Sequence, residues 1–210
     1  MTQQQLLQDP YFTRNEVSNS DLTALKYKLS GRELPDMTEV FAFGNLVDAM
    51  ITEPDRIDWW RKLMDGQPAK DFDKAKKMYD VVKSDNNIQN ILKNAKYQHI
   101  SIKERKFNWK GLEFTIPCRC KWDFFGYVSG DIKTTAATSQ KQFEAACLHF
   151  DYNRGRAWYM DMENTSKDIL IGISKVNFKV FFKIIERNDD WYLAGKKEYT
   201  DLAVKYWILN

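Results

Sequence analysis

The 210-residue sequence predicts an α/β domain, a central sheet flanked by helices, on three observations. Apolar residues recur at helical spacing from the N-terminal region to about Ala95. From Gln98 to about Thr135 the period becomes two. After a capped helix the alternation returns in DILIGIS and NFKVFFKIIE, so helices and strands follow one another as in a layered sandwich.

In SNSDLTALKY, Ser18 or Ser20 stands where a cap is needed for a short helix carrying Leu22 and Leu25. Pro35-Asp36-Met37-Thr38 leads into a second helix, TEVFAFGNLVDAMI, which Thr52-Glu53-Pro54 stops. Phe43, Val47 and Met50, with Val40 and Leu46 beside them, form its apolar stripe, while Gly44 and Asp48 share a different face. More polar helices follow over 71–82, with Phe72, Ala75, Tyr79 and Val82 inward, and over 86–95. QHISIKERKFNW alternates as a first strand, with Ile100 and Ile102 on one face. Gly111 marks a turn, and 112–125 forms a second strand with Cys120, Trp122 and Phe124 on one side and Arg119, Lys121 and Asp123 on the other. Gly126 and Gly130 flank a turn before a third strand, DIKTT. Ser139 with Gln142 is a capping-box pattern, and Phe143, Ala146 and Cys147 of that helix point inward. A further helix covers about 154–164, two strands follow, and a last helix runs from Glu198.

Composition sets the outer limits. With hydrophobic residues at 43% and charged residues at 29%, the chain is ordinary globular material, read as one domain: an N-terminal extension over 1–35, a core over 36–165 and terminal strands and helix over 166–210. No uncharged apolar run approaches the ~18 residues of a membrane helix, and MTQQQLLQDPYF lacks the basic and apolar regions of a signal peptide. The expectation is a soluble, cytoplasmic protein with no membrane partner. Three cysteines and two histidines argue against a disulfide framework, a zinc site or a His-dependent triad. Lys+Arg 32 against Asp+Glu 29 is too even to imply nucleic acid by itself, yet such a sum can conceal two opposed local fields.

The chemistry concentrates in CRCKWDFFGYVSGDIKTT. Asp123 sits on the polar face of the second strand; Asp131 and Lys133, two apart, share a face of the third, with Ile132 turned away. The turn folds Asp123 back toward Asp131. Two converging carboxylates beside an ammonium suit a hard divalent cation such as magnesium, which could hold a phosphate and activate water while Lys133 orients it or stabilises developing charge. Acid-x-Lys alone is common, and Glu104-Arg105-Lys106 repeats it; the upstream Asp, the Gly-flanked turn and the Thr-Thr exit distinguish Asp131-Ile132-Lys133.

Over 41–161 these residues carry a resemblance. FAFGNLVDAMITEP, KWDFFGYVSGDIKTT and FEAACLHFDYNRGRAWYMD, in that order, resemble the blocks of the PD-(D/E)xK nuclease superfamily, closest to its phage and prophage exodeoxyribonuclease VIII (RecE-like) branch; SNSDL is similar to the branch's N-terminal segment. The resemblance implies a restriction-endonuclease-like core with a mixed sheet. It implies Asp123 and Asp131 as metal-binding carboxylates and Lys133 as the catalytic lysine. Asp48 falls where the branch has a histidine ligand, and reads either as an oxygen ligand in its place or as an ordinary helix Asp. Tyr159 matches the motif tyrosine, but Gly155 stands at the partnering Gln. Arg154, Arg156 and Lys121 are candidate phosphate contacts, with solvated surface charge as the alternative. The implied activity is magnesium-dependent hydrolysis of DNA, with manganese able to substitute, most directly as an exonuclease acting at ends. An endonuclease or nickase on the same core, and a degenerate core acting as a nucleic-acid-binding accessory module, are the other readings. A ring-like homo-oligomer and a single-strand annealing partner are implied by analogy alone.

Overall fold

A computed structural model describes residues 11–53, 55 and 69–210. Helix α1 (Asn19–Leu29) is opened by Ser18, whose Oγ accepts from Asp21 N while Asp21 Oδ2 accepts from Ser18 N at 2.8 Å, a complete capping box. Helix α2 (Thr38–Thr52) buries Phe43, Leu46, Val47 and Met50. Val40, expected on that stripe, is exposed, because burial along α2 begins only one turn later. Helix α3 (Ala69–Ser84) buries Ala75 and Val82 as expected and Met78 besides. Asp85 caps α4 (Asn86–Leu92) through the amides of Asn87 and Ile88. Pro54, part of the expected helix stop, lies outside the described residues.

Strands β1 (Lys96–Trp109) and β2 (Leu112–Phe125) form a long antiparallel hairpin, from Lys96↔Phe125 to Trp109↔Leu112. Strand β3 (Gly130–Thr135) pairs with β2 only at Phe124↔Gly130, so the two strands part at once. The edge of β2 released by that parting is taken by the N-terminal segment: Val17 N donates to Pro117 O, and Arg119 N to Val17 O, both at 2.8 Å. From β3 the chain crosses over through α5 (Gln140–His149) and α6 (Tyr152–Glu163) to β4 (Lys167–Ser174), parallel to β3. Strand β5 (Val180–Glu186) then pairs antiparallel with β4, giving a five-stranded mixed sheet of order β1-β2-β3-β4-β5.

Alternation along the strands divides the core between two helical layers. Ile132, Ile169, Ile171 and Ile173 pack with the α2, α3 and α4 residues. Cys120, Trp122, Leu170 and Ile185 pack with Trp158 of α6 and with Tyr199 of α7 (Asp190–Leu209). The last helix begins eight residues before Glu198, because the Asp189 carboxylate accepts from Tyr192 N at 2.6 Å and caps it there. Ile100 and Ile102 share a face of β1, as expected, and it is the outer one. The inward face includes Ser101, Lys103, Arg105 and Phe107. It is satisfied by polar contacts: Lys103 Nζ donates to Met162 O (2.7 Å) and Arg105 to the Tyr199 hydroxyl (3.1 Å). Among the described residues, no helix is long and apolar enough to cross a membrane.

Candidate functional site

The point where β2 and β3 part is also where the predicted acidic residues gather. Asp123, at the end of β2, turns its Oδ2 to accept from Ile132 N at 2.7 Å, so a carboxylate occupies the place of a ladder carbonyl. Asp131 is buried one residue before; its Oδ2 forms an ion pair with Lys133, and its Oδ1 lies 3.3 Å from Arg156 Nη1. Asp48 reaches in from α2. The α2 face shared by Gly44 and Asp48 looks toward β3: a Cβ on Gly44 would lie 3.9 Å from Thr134 Oγ1.

A residue that no spacing argument singled out holds Asp48. Gln98 Nε2 donates to both Asp48 Oδ2 and Thr52 Oγ1, each at 2.9 Å. Gln98 stands across from Asp123, where the regular β1–β2 register is interrupted, and its φ is +51°. A left-handed backbone at a non-glycine strand residue is strained, and here it coincides with the side chain that orients an acidic residue.

Burial is the main cause raising Asp48, to about 6, with the charge of Asp131 adding to it against the Gln98 hydrogen bond. Burial, then Asp131 and Asp48, push Asp123 well above the usual carboxylate range. Burial would raise Asp131 too, but Lys133 and Arg156 outweigh it and hold this carboxyl below its ordinary value. The two carboxyls are thus pushed apart, Asp131 toward the ionised form and Asp123 toward the protonated one. Burial would lower Lys133, but Asp131 and Asp123 raise it above the ordinary lysine range, so its ammonium stays charged.

Among the described residues, no three His, Cys, Asp or Glu side chains are arranged as a group that could hold a metal ion. The donor set nevertheless fits a hard cation bound by fewer protein ligands. Magnesium commonly takes one or two carboxylates and completes its shell with waters and phosphate oxygens, and the mutual repulsion within Asp48, Asp123 and Asp131 is what a cation relieves.

No family model matches this chain. No curated protein matches it either. Among solved structures, one titled "Crystal structure of SSO0001" is similar at 14% identity, covering 91% of this chain and 85% of that one, with a TM-score of 0.41. At that score the likeness carries no argument.

The arginines expected at phosphate are placed elsewhere. Arg154 is buried at 1% exposure, bonded to Asn19 Oδ1 (3.0 Å) and Thr23 Oγ1 (2.6 Å) and paired with Asp151 and Glu198. It ties α1 to α6 and α7 and presents nothing to a ligand. Arg156 is also buried. Its Nε and Nη2 grip Asp168 at 2.8–3.0 Å, and its guanidinium lies over the Trp122 and Tyr159 rings. It positions Asp131 from behind instead of facing solvent. Tyr159 packs its ring edge-on to Trp122 at 5.2 Å and touches Arg156, so it belongs to the support of the site. Lys121 is half-exposed, two residues from Asp123 on β2. At Gly155 a Cβ would lie 3.2 Å from Asn19 Nδ2, so α1 closes the space that a motif Gln would need.

Two more residues escaped sequence reasoning. Asp168, at 0% exposure, is raised by burial to about 7 against the pull of Arg156. Tyr152 lies with its ring 5.5 Å from Lys133 Nζ. An acid opening an apolar strand, as in KDILIGIS, is the one signal that could have found Asp168; Tyr152 stands three residues before Gly155 in the block matched to the branch motif, and that position could have found it.

Proposed function

We propose that this chain is a metal-dependent deoxyribonuclease on a restriction-endonuclease-like core, hydrolysing phosphodiester bonds at DNA ends. The observation that carries this reading is the meeting of Asp48 from α2, Asp123 from β2 and Asp131 with Lys133 from β3 at the parting of two strands. Asp123 and Asp131 would hold magnesium, with Asp48 beside them, and the ion when bound would supply Lewis-acid stabilisation of charge on the phosphate and lower the pKa of water. The protein's part is orientation. Ile132 N–H fixes one oxygen of Asp123, Gln98 fixes one of Asp48, and Arg156 backs one of Asp131. Lys133 stays protonated and so is unsuited to general-base work. Its ammonium donates to the attacking water and offsets negative charge on the phosphoryl oxygens.

One observation favours a second reading, a degenerate core acting as a nucleic-acid-binding accessory module. Asn19 fills the space beside Gly155, where the branch motif has a Gln. The test is incubation with linear and closed-circular duplex DNA in magnesium, manganese or EDTA, beside Asp131→Ala and Lys133→Ala. Degradation of linear DNA alone, abolished by EDTA and by both substitutions, supports the exonuclease. Binding without cutting supports the module, and cutting that persists in both variants removes the site assignment.

A further inference from the structure

At the far end of the β1–β2 hairpin, α7 and the hairpin tip enclose an open cleft of about 630 Å³, and four lysines line it: Lys110, Lys196, Lys197 and Lys205. Against them the cleft has one carboxylate, Asp201, and that group is already engaged. Its Oδ1 accepts from Trp109 Nε1 and its Oδ2 from Lys197 Nζ, both at 2.8 Å. Lys196 lies 3.3 Å from Asp161, but Arg187 holds the same carboxylate at 2.7 Å, so the surroundings remain positive. The Trp109 indole is fixed by Asp201 and covered by the Lys110 ammonium 4.8 Å from its centre. Lys197 and Lys205 are eight residues apart on one helix, roughly 12 Å along α7. That is long for one phosphate and suits a repeating charge.

We propose that this cleft binds the backbone of a nucleic-acid strand, with lysine ammonium groups on successive phosphates. The cleft is separate from the candidate site: eleven residues of extended β2 between Leu112 and Asp123 span roughly 36 Å. A duplex touching both would cover about ten base pairs, at about 3.4 Å each. The inference rests on the DNA reading of the preceding subsection and adds a second anchoring surface that would hold the substrate during repeated cuts.

The test separates the two. Binding of a fluorescent oligothymidylate of about 20 nucleotides is measured by anisotropy in EDTA, across salt concentrations, for Asp131→Ala protein with and without the triple change K110A/K197A/K205A. Losing three contacts should reduce the slope of log affinity against log salt by about 2, and weaken binding on the order of a hundred-fold near 0.1 M salt. The three lysines are exposed, so the fold should persist, as circular dichroism and unchanged unfolding midpoints would verify. Equal affinity and slope in both proteins would overturn the cleft while leaving the nuclease reading intact. Loss of binding by the triple variant, in a protein whose Asp131-intact form never cuts DNA, would sustain the cleft and sink the nuclease. No binding by either protein would overturn the cleft.

Discussion

Replacing Arg156 by Met should cost the fold about 3–5 kcal/mol, because it strands Asp168 in the core. Asp168 is fully enclosed, and all three of its short contacts, at 3.0, 3.0 and 2.8 Å, come from this one guanidinium. Without it the carboxyl must either remain ionised in an apolar layer or keep its proton, and both are unfavourable to a folded protein whose total stability is on the order of 5–15 kcal/mol. The sign with pH is fixed by linkage. Burial already raises Asp168 to about 7 in wild type, and losing Arg156 raises it further, so the charge-dependent part of the deficit is small below about pH 7 and grows above it. The gap to wild type should therefore be wider at pH 8 than at pH 5. Urea unfolding reads the magnitude. The companion variant R156M/D168L removes both charges, and replacing a buried pair by apolar groups is often neutral or stabilising, so most of the loss should return. Activity should not return with it, since Asp131 has lost the group 3.3 Å from its Oδ1. A single variant within about 1 kcal/mol of wild type, or a double variant as unstable as the single, would refute this assignment.

Three further outcomes follow from neighbouring contacts. In EDTA, Asp48→Asn should stabilise the protein at pH 8: burial raises Asp48 to about 6, so wild type loses stability as pH climbs from about 4 to 6, and partial exposure screens this to about 1–2 kcal/mol. An unchanged unfolding midpoint at pH 8 would contradict that burial. Gln98→Gly relieves a positive φ while deleting the hydrogen bond to Asp48, so stability should move by less than about 1 kcal/mol while cleavage falls at least tenfold. Equal activity would remove Gln98 from the site. Gly130→Ala should cost at least about 2 kcal/mol in denaturant titration, because a Cβ there would lie 2.1 Å from the Ile169 carbonyl oxygen and force β3 off β4. A neutral change would show that β3 can shift.

The alternating strand that carries Asp131, Ile132 and Lys133 was legible because a period of two sorts side chains between faces without help from the rest of the fold. Capping made α1 and α5 legible for a similar reason: Ser18 and Ser139 act on amides within three residues. What was left open or misread shares the opposite property. Alternation put Ile100 and Ile102 on one face of β1 without telling which face is inner, because the other face is settled by Lys103 and Arg105, whose acceptors stand some sixty and ninety positions away. Arg154 and Arg156 looked like phosphate contacts or surface charge because Asp151 is the one partner close in sequence; Asn19, Thr23, Glu198 and Asp168 supply the others only after folding. Gln98 left no trace, since its role depends on a reversed φ and on Asp48 fifty residues earlier.

The central claim is that Asp123, Asp131 and Lys133 act together on a phosphodiester. Its most direct measurement is the single-turnover rate at which wild-type protein and Lys133→Met cleave an end-labelled linear duplex at saturating magnesium. With the ammonium gone but the carboxylates and the DNA surface kept, the rate should fall at least about a hundredfold, with DNA affinity unchanged. Cleavage by Lys133→Met at the wild-type rate would contradict the account.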